Sequence, residues 1–159
     1  MKKIILFIVI TFFIAGKSHS AGSSGGDTKS SYDQAVKLIK VAKKNEKKGK
    51  EIKANVNYEK ALKLLIKSNK EKPNEADTLN YLGFTSRKLG DYETAEKFYL
   101  QGLTLKPNHK GINEYLGELY VVTKRHNLAV ERLEVLRGCN CEEYEDLKLI
   151  IAGEKVSKY

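Results

Sequence analysis

The chain has no tryptophan, one methionine, two cysteines and two prolines, and these scarcities narrow what it can be. Two cysteines fall short of the four ligands that a structural zinc site usually needs. His109 and His126, the other soft ligands beyond residue 20, are tied to the cysteines by no spacing motif. Nucleophile-elbow (G-x-S-x-G), phosphate-loop, dinucleotide (G-x-G-x-x-G) and H-E-x-x-H signatures are all missing, which leaves no known chemistry to assign. Strand signals are scarce, so the chain reads as all-α. The lysine runs lack interleaved arginine or aromatic residues, and so lack a device for reading nucleic acid.

Charge is plentiful and uneven. The net charge is +9, of which Lys2, Lys3 and Lys17 account for three. From Lys29 to Lys72 lysines greatly outnumber acids; from Pro73 onward acids slightly outnumber bases. A basic N-terminal region fits either an anionic partner, such as membrane headgroups or a cell-wall polymer, or a solvated lysine-rich face.

A run in the middle of the chain repeats itself 34 residues later. Leu82-Gly83 recurs as Leu116-Gly117, Ala95 as Ala129, and Tyr99 is answered by Leu133. Counting from Ala76, Leu79, Leu82, Gly83, Ala95, Tyr99, Leu103 and Pro107 fall in an order that resembles the tetratricopeptide repeat. Leu79 stands where that repeat usually has Trp, Ser86 where it has Tyr, and Gly102 where it has a small Ala. Each type has a reason. Gly83 and Ala95 let two helices approach closely, Gly90 tolerates positive φ at a helix end, and Asp91 caps the next helix. Pro107 stops a helix, and Asn74 is placed to cap the one starting near Glu75. Leu79, Leu82, Phe98 and Leu103 form the seam at helical spacing.

The unit from Lys110 keeps Leu116, Gly117, Tyr120, Ala129 and Leu133, with Lys124-Arg125-His126 at its turn and Cys141 at the proline position. The preceding unit keeps its second helix, where Asn57-Tyr58-Glu59-Lys60-Ala61 parallels Asp91-Tyr92-Glu93-Thr94-Ala95. Ala35, Leu38, Ile39 and Ala42 give its first helix, over about 32–44. A lysine-rich stretch over about 45–55 follows, either an inserted connection or a polar helical extension. The segment from Glu142 to Ala152 reads as a capping helix, with acids in its first turn and Tyr144, Leu147, Ile150 and Ile151 on its apolar side. The resemblance therefore implies a right-handed superhelical stack of about three helix-turn-helix units (31–75, 76–109 and 110–141) closed by a helix over 142–153.

The first twenty residues differ. Met1-Lys2-Lys3, an apolar run from Ile4 to Ala15, and Ser18-His19-Ser20 before Ala21 make a secretory signal peptide of bacterial character. The apolar run is shorter than the roughly 20 residues a membrane span needs. No cysteine lies near the cut for lipid attachment. Residues 21–30 form a Gly/Ser linker, so the mature chain of about 139 residues holds one domain over 31–159. The expected location is the periplasm, with an uncleaved anchor as the alternative.

What the resemblance implies about function is protein binding without chemistry or cofactor. In such repeats the first helix of each pair lines a concave groove. The matching positions are Asp77, Asn80, Phe84, Arg87 and Lys88, then Gly111, Glu114, Glu118, Val121 and Val122. Phe84 is expected as an exposed anchor for the partner, with Arg87 and Lys88 holding a carboxylate and Glu114 and Glu118 a basic group. Phe84 and Glu114 stand where the chaperone-binding clamp of some family members needs polar or basic groups, so that clamp is not expected. Cys139 and Cys141, spaced C-x-C, form a local disulfide in an oxidising compartment, or else carry a redox or metal function. A membrane-tethered adaptor is the remaining alternative.

Overall fold

The structure, a computed structural model, describes residues 29–157. The expected signal peptide and most of the Gly/Ser linker lie outside the described residues. The described residues form seven helices and no strand: α1 (Ser31–Glu46), α2 (Glu51–Glu71), α3 (Ala76–Lys88), α4 (Tyr92–Leu105), α5 (Lys110–Val122), α6 (His126–Leu136) and α7 (Glu142–Ile151). The closest packing is within α1–α2, α3–α4 and α5–α6, and each pair also packs on the next. The core is therefore a continuous seam rather than a central ball.

The small residues sit where the helices approach most closely. A Cβ on Gly83 would stand 2.5 Å from the Tyr99 ring across the α3–α4 pair. One on Gly102 would meet Ile112 of α5 at 2.4 Å, and one on Gly117 would meet Leu147 of α7 at 2.5 Å. Ala95 and Ala129 are fully buried beside them. Leu79 and Leu82 are also fully buried, while Phe98 and Leu103 pack against the core from its edge.

The turns follow local chemistry. Gly90 has φ +85° just past α3, and the Asp91 carboxylate accepts from the Thr94 N–H at 3.0 Å to start α4. The α5–α6 turn reaches the same left-handed conformation with Lys124, at φ 61°. Ser30 caps α1 by accepting from the Asp33 N–H at 3.1 Å.

Two expectations need correction. The 45–55 stretch is not a long insert: α1 runs to Glu46, α2 begins at Glu51, and only a short turn through Gly49 (φ 66°) separates them. The polar residues after that turn extend α2 by more than one turn beyond the matching end of α4. Nor does Asn74 cap α3. Its φ is 63°, Glu75 takes the N-cap position without a side-chain bond, and the Asn74 amide oxygen accepts from Gln101 at 3.5 Å. The chain must reverse after Pro73, and asparagine is among the few residues that enter the left-handed region at low cost.

The Cys139–Cys141 disulfide closes the link between α6 and α7, with Cα atoms 5.3 Å apart. Leu147 and Ile150 of α7 are buried, and Leu147 covers Gly117. Burying one such side chain is worth about 1.5–3 kcal/mol. The terminal helix thus seals the last seam.

Candidate functional site

The first helices of the three pairs, α1, α3 and α5, touch in sequence, and α7 extends the row beyond α5. A line of side chains joins them. Lys43 of α1 lies 4.4 Å from the centre of the Phe84 ring of α3. Phe84 meets Tyr115 of α5 at 5.3 Å between centroids, and Tyr58 of α2 edge-on at 6.0 Å. Arg87 of α3 donates from Nη1 to the Tyr115 carbonyl at 2.9 Å. Its Nη2 lies 3.6 Å from the Glu118 carboxylate of α5, and both side chains are about 1% exposed. Lys88 reaches back to Glu46 at 2.5 Å, and Glu46 also accepts from the Tyr58 hydroxyl at 2.9 Å.

This geometry revises the expected anchor. Phe84 is 1% exposed and belongs to the core. The α1–α2 pair closes over it, so the ring is needed for packing after all. Arg87, Glu118, Glu114 and Asn80 are buried too. Arg87 is engaged by α5 and Lys88 by α1, so the two are not poised together for a partner's carboxylate. Glu118 likewise faces Arg87 rather than open solvent. Asp77 remains largely exposed, Val121 half-buried and Val122 exposed. The structure thus spends most of the expected residues on joining the repeats, and leaves Asp77 and Val122 exposed and Val121 half-buried.

Charge divides the face. Lys43, Arg87 and Lys88 stand on the α1–α3 side, while Glu114, Glu118 and Asp146 stand on the α5–α7 side. A recess of about 180 Å³ on the acidic side is lined by Glu114, Tyr115, Glu142, Glu143 and Asp146. Burial pushes the Tyr115 phenol well above its usual range, and the neighbouring Glu114 and Glu118 carboxylates push it further. Tyr58 is raised by burial and by its bond to Glu46; Tyr99, inside the seam, is raised chiefly by burial.

Several contributors were not legible in the sequence. His109 caps α5: its Nδ1 accepts from the Ile112 N–H at 3.2 Å. That bond puts the proton of the neutral ring on Nε2, which donates to Asp77 at 3.0 Å. Arg125 reaches α4 with both guanidinium ends, at 2.8 Å each to Glu96. Lys43, Tyr58 and Tyr115 carry no motif. Tyr58 had a signal, since it matches Tyr92 in the helix start of the next unit, but Tyr92 is exposed and gave no hint of burial.

Residues 76–109, covering α3 and α4, match the tetratricopeptide repeat family. Over α3 and α4 the chain carries a tetratricopeptide repeat. No curated protein matches it. Among solved structures, the first TPR of Spaghetti (RPAP3), bound to the HSP90 peptide SRMEEVD, is similar in fold, with a TM-score of 0.55 at 18% identity. The alignment covers 77% of this chain and 93% of that one. The seven-helix stack is thus a tetratricopeptide fold, with α7 as its terminal helix.

Proposed function

We propose that this protein is a scaffold that binds an extended or helical segment of another protein on the face formed by α1, α3, α5 and α7. The observation that carries this reading is the row itself: successive first helices lie side by side, with Asp77 exposed on α3 and Val121 half-buried on α5. The structural relative supports it, since that domain is bound to an HSP90 peptide. The occupant here differs in kind. Glu142 and Glu143, at the rim of the recess between α5 and α7, make that end of the face acidic, which disfavours an acidic peptide there and favours one with basic residues at that end.

Binding uses shape and a few anchors, with no bond made or broken. The periplasm is the proposed location and rests on the sequence of residues 1–20 alone; an envelope complex is the matching setting. Lysines along α1 and α2 supply a basic surface for membrane or wall polymers.

Affinity capture on immobilised protein tests the reading. Asp77→Lys with Val121→Glu changes one residue on each of α3 and α5; Leu100→Glu changes an exposed residue of α4. A protein retained by the wild type and by the Leu100 variant, but lost from the double variant, is the expected result. Equal retention by all three would overturn the assignment of the face.

A further inference from the structure

The chain does not leave the molecule at the end of α7. Gly153, at φ 74°, reverses it. Its N–H bonds to the Ile150 carbonyl at 3.1 Å, and the Glu154 N–H bonds to that of Leu149 at 2.9 Å, the double bond pattern that ends many helices. The turn sends the following residues back towards α5. Lys155 pairs with Asp146, which is 9% exposed at its side chain. Two residues later the Ser157 hydroxyl donates to the Glu118 carboxylate at 2.7 Å. Glu118 is the residue that also meets Arg87 in the middle of the face. Val156, between the two anchors, is 86% exposed.

We propose that residues 153–157 are an intramolecular strap on the acidic half of the face, seated where a basic segment of the partner binds, so that the partner must displace it. This inference rests on the protein-binding reading above and names the chemistry of the occupant. Three features carry it. The strap has a lysine and a hydroxyl donor, and each meets a buried carboxylate on a different helix. Backbone bonds from Gly153, Glu154 and Lys155 hold its start to the end of α7, but beyond Lys155 its attachment to α5 is the Ser157 side-chain bond, and Val156 between the anchors is almost bare, so it can lift off α5 without opening the helix seam. Its last anchor falls on a position that the repeat pattern assigns to the groove.

The strap follows α7 directly, and such a short connection gives it an effective concentration of about millimolar or more. A strap closed about 90% of the time lowers the apparent affinity of any competitor about tenfold. The same arithmetic gives the test. The probe is a synthetic peptide of residues 152–157, added to isotopically labelled full-length protein and followed by amide chemical shifts. The variant Lys155→Glu with Ser157→Ala releases the strap by placing like charge beside Asp146 and removing the donor to Glu118. It is expected to bind the peptide with saturable shifts at Glu118 and Asp146, at about one tenth of the peptide concentration that the wild type needs. A peptide carrying the same two changes should give no saturable shift. Ser157→Ala alone, which leaves the Lys155–Asp146 pair, should fall between and guards against a general loss of structure. Equal response of wild type and variant, or a response indifferent to the two changes in the peptide, would overturn the strap. Failure of the protein-binding reading is separate: it appears as unchanged capture in the Asp77/Val121 variant, whatever the peptide does.

Discussion

The α3–α4 and α5–α6 pairs are built on one 34-residue pattern and solve the same problems with different residues. Gly83 makes room for Tyr99 of its own pair. Gly117, its counterpart, makes room for Leu147 of the terminal helix. Phe84 fills the seam with an aromatic ring, and Glu118 at the matching position fills it with a carboxylate that meets Arg87. The first turn uses Gly90 and Asp91; the second uses Lys124 in a left-handed conformation and Arg125 clamped on Glu96. What the pattern conserves between the two is the space between helices. Which element occupies that space depends on where the pair lies in the stack.

The comparison can be broken most forcefully at Phe84. Phe84→Ala removes a ring held by Lys43, Tyr58 and Tyr115, and should cost about 3–5 kcal/mol in denaturant unfolding. A cost near zero would return Phe84 to the surface. Gly83→Leu should come next, at about 3 kcal/mol, because it forces α3 from α4 inside one pair. Gly117→Leu should cost about 2 kcal/mol and act by undocking α7, so amide exchange should quicken in α7 before it does in α3. If α3 and α4 loosen together with α7, the two glycines do not serve separate partners.

Alkaline pH sharpens the same contrast. Tyr58, Tyr99 and Tyr115 all have phenols raised above the ordinary value of 10.0 by burial. The unfolded chain releases these protons near pH 10 while the folded chain keeps them. Their contribution to stability is complete below about pH 10 and is lost as the pH rises towards the folded-state values. Thermal melting should be insensitive to these groups at neutral pH and should weaken steeply above about pH 10. Tyr99→Phe should flatten that fall. At the turns the effects are smallest: Gly90→Ala should cost about 1 kcal/mol, and Lys124→Gly should gain up to about 0.5 kcal/mol, because only one of the two sites already has the residue its φ prefers.

The sequence disclosed the parts whose logic is local. Gly90 and Asp91 announce a turn, and Leu82-Gly83 with Ala95 announces a close helix pair, because each depends on residues within one repeat. The basic character of α1–α2 was legible too, though the position of its turn was not, since a strict 34-residue register puts Lys48 and Gly49 where the later units have Leu-Gly. The misreading of Phe84 follows from that gap. Whether a groove position is open depends on what the neighbouring unit places over it, and Lys43 and Tyr58 come from the unit with the weakest pattern. The Arg87–Glu118 pair and the return of Ser157 to Glu118 are contacts between units, for which the repeat has no fixed residue. The strap was invisible for the same reason: a lysine and a serine past a glycine have no signature until α7 is docked.

The most direct test of the protein-binding face is photo-crosslinking in living cells, with the reactive residue at Asp77 or Val121 and a control at Leu100 of α4. The central positions, Phe84 and Glu118, are poor sites for the probe because they are buried. The account predicts one dominant protein product shared by Asp77 and Val121 and absent from Leu100. Products of equal yield from all three positions, or a product from Leu100 alone, would contradict it.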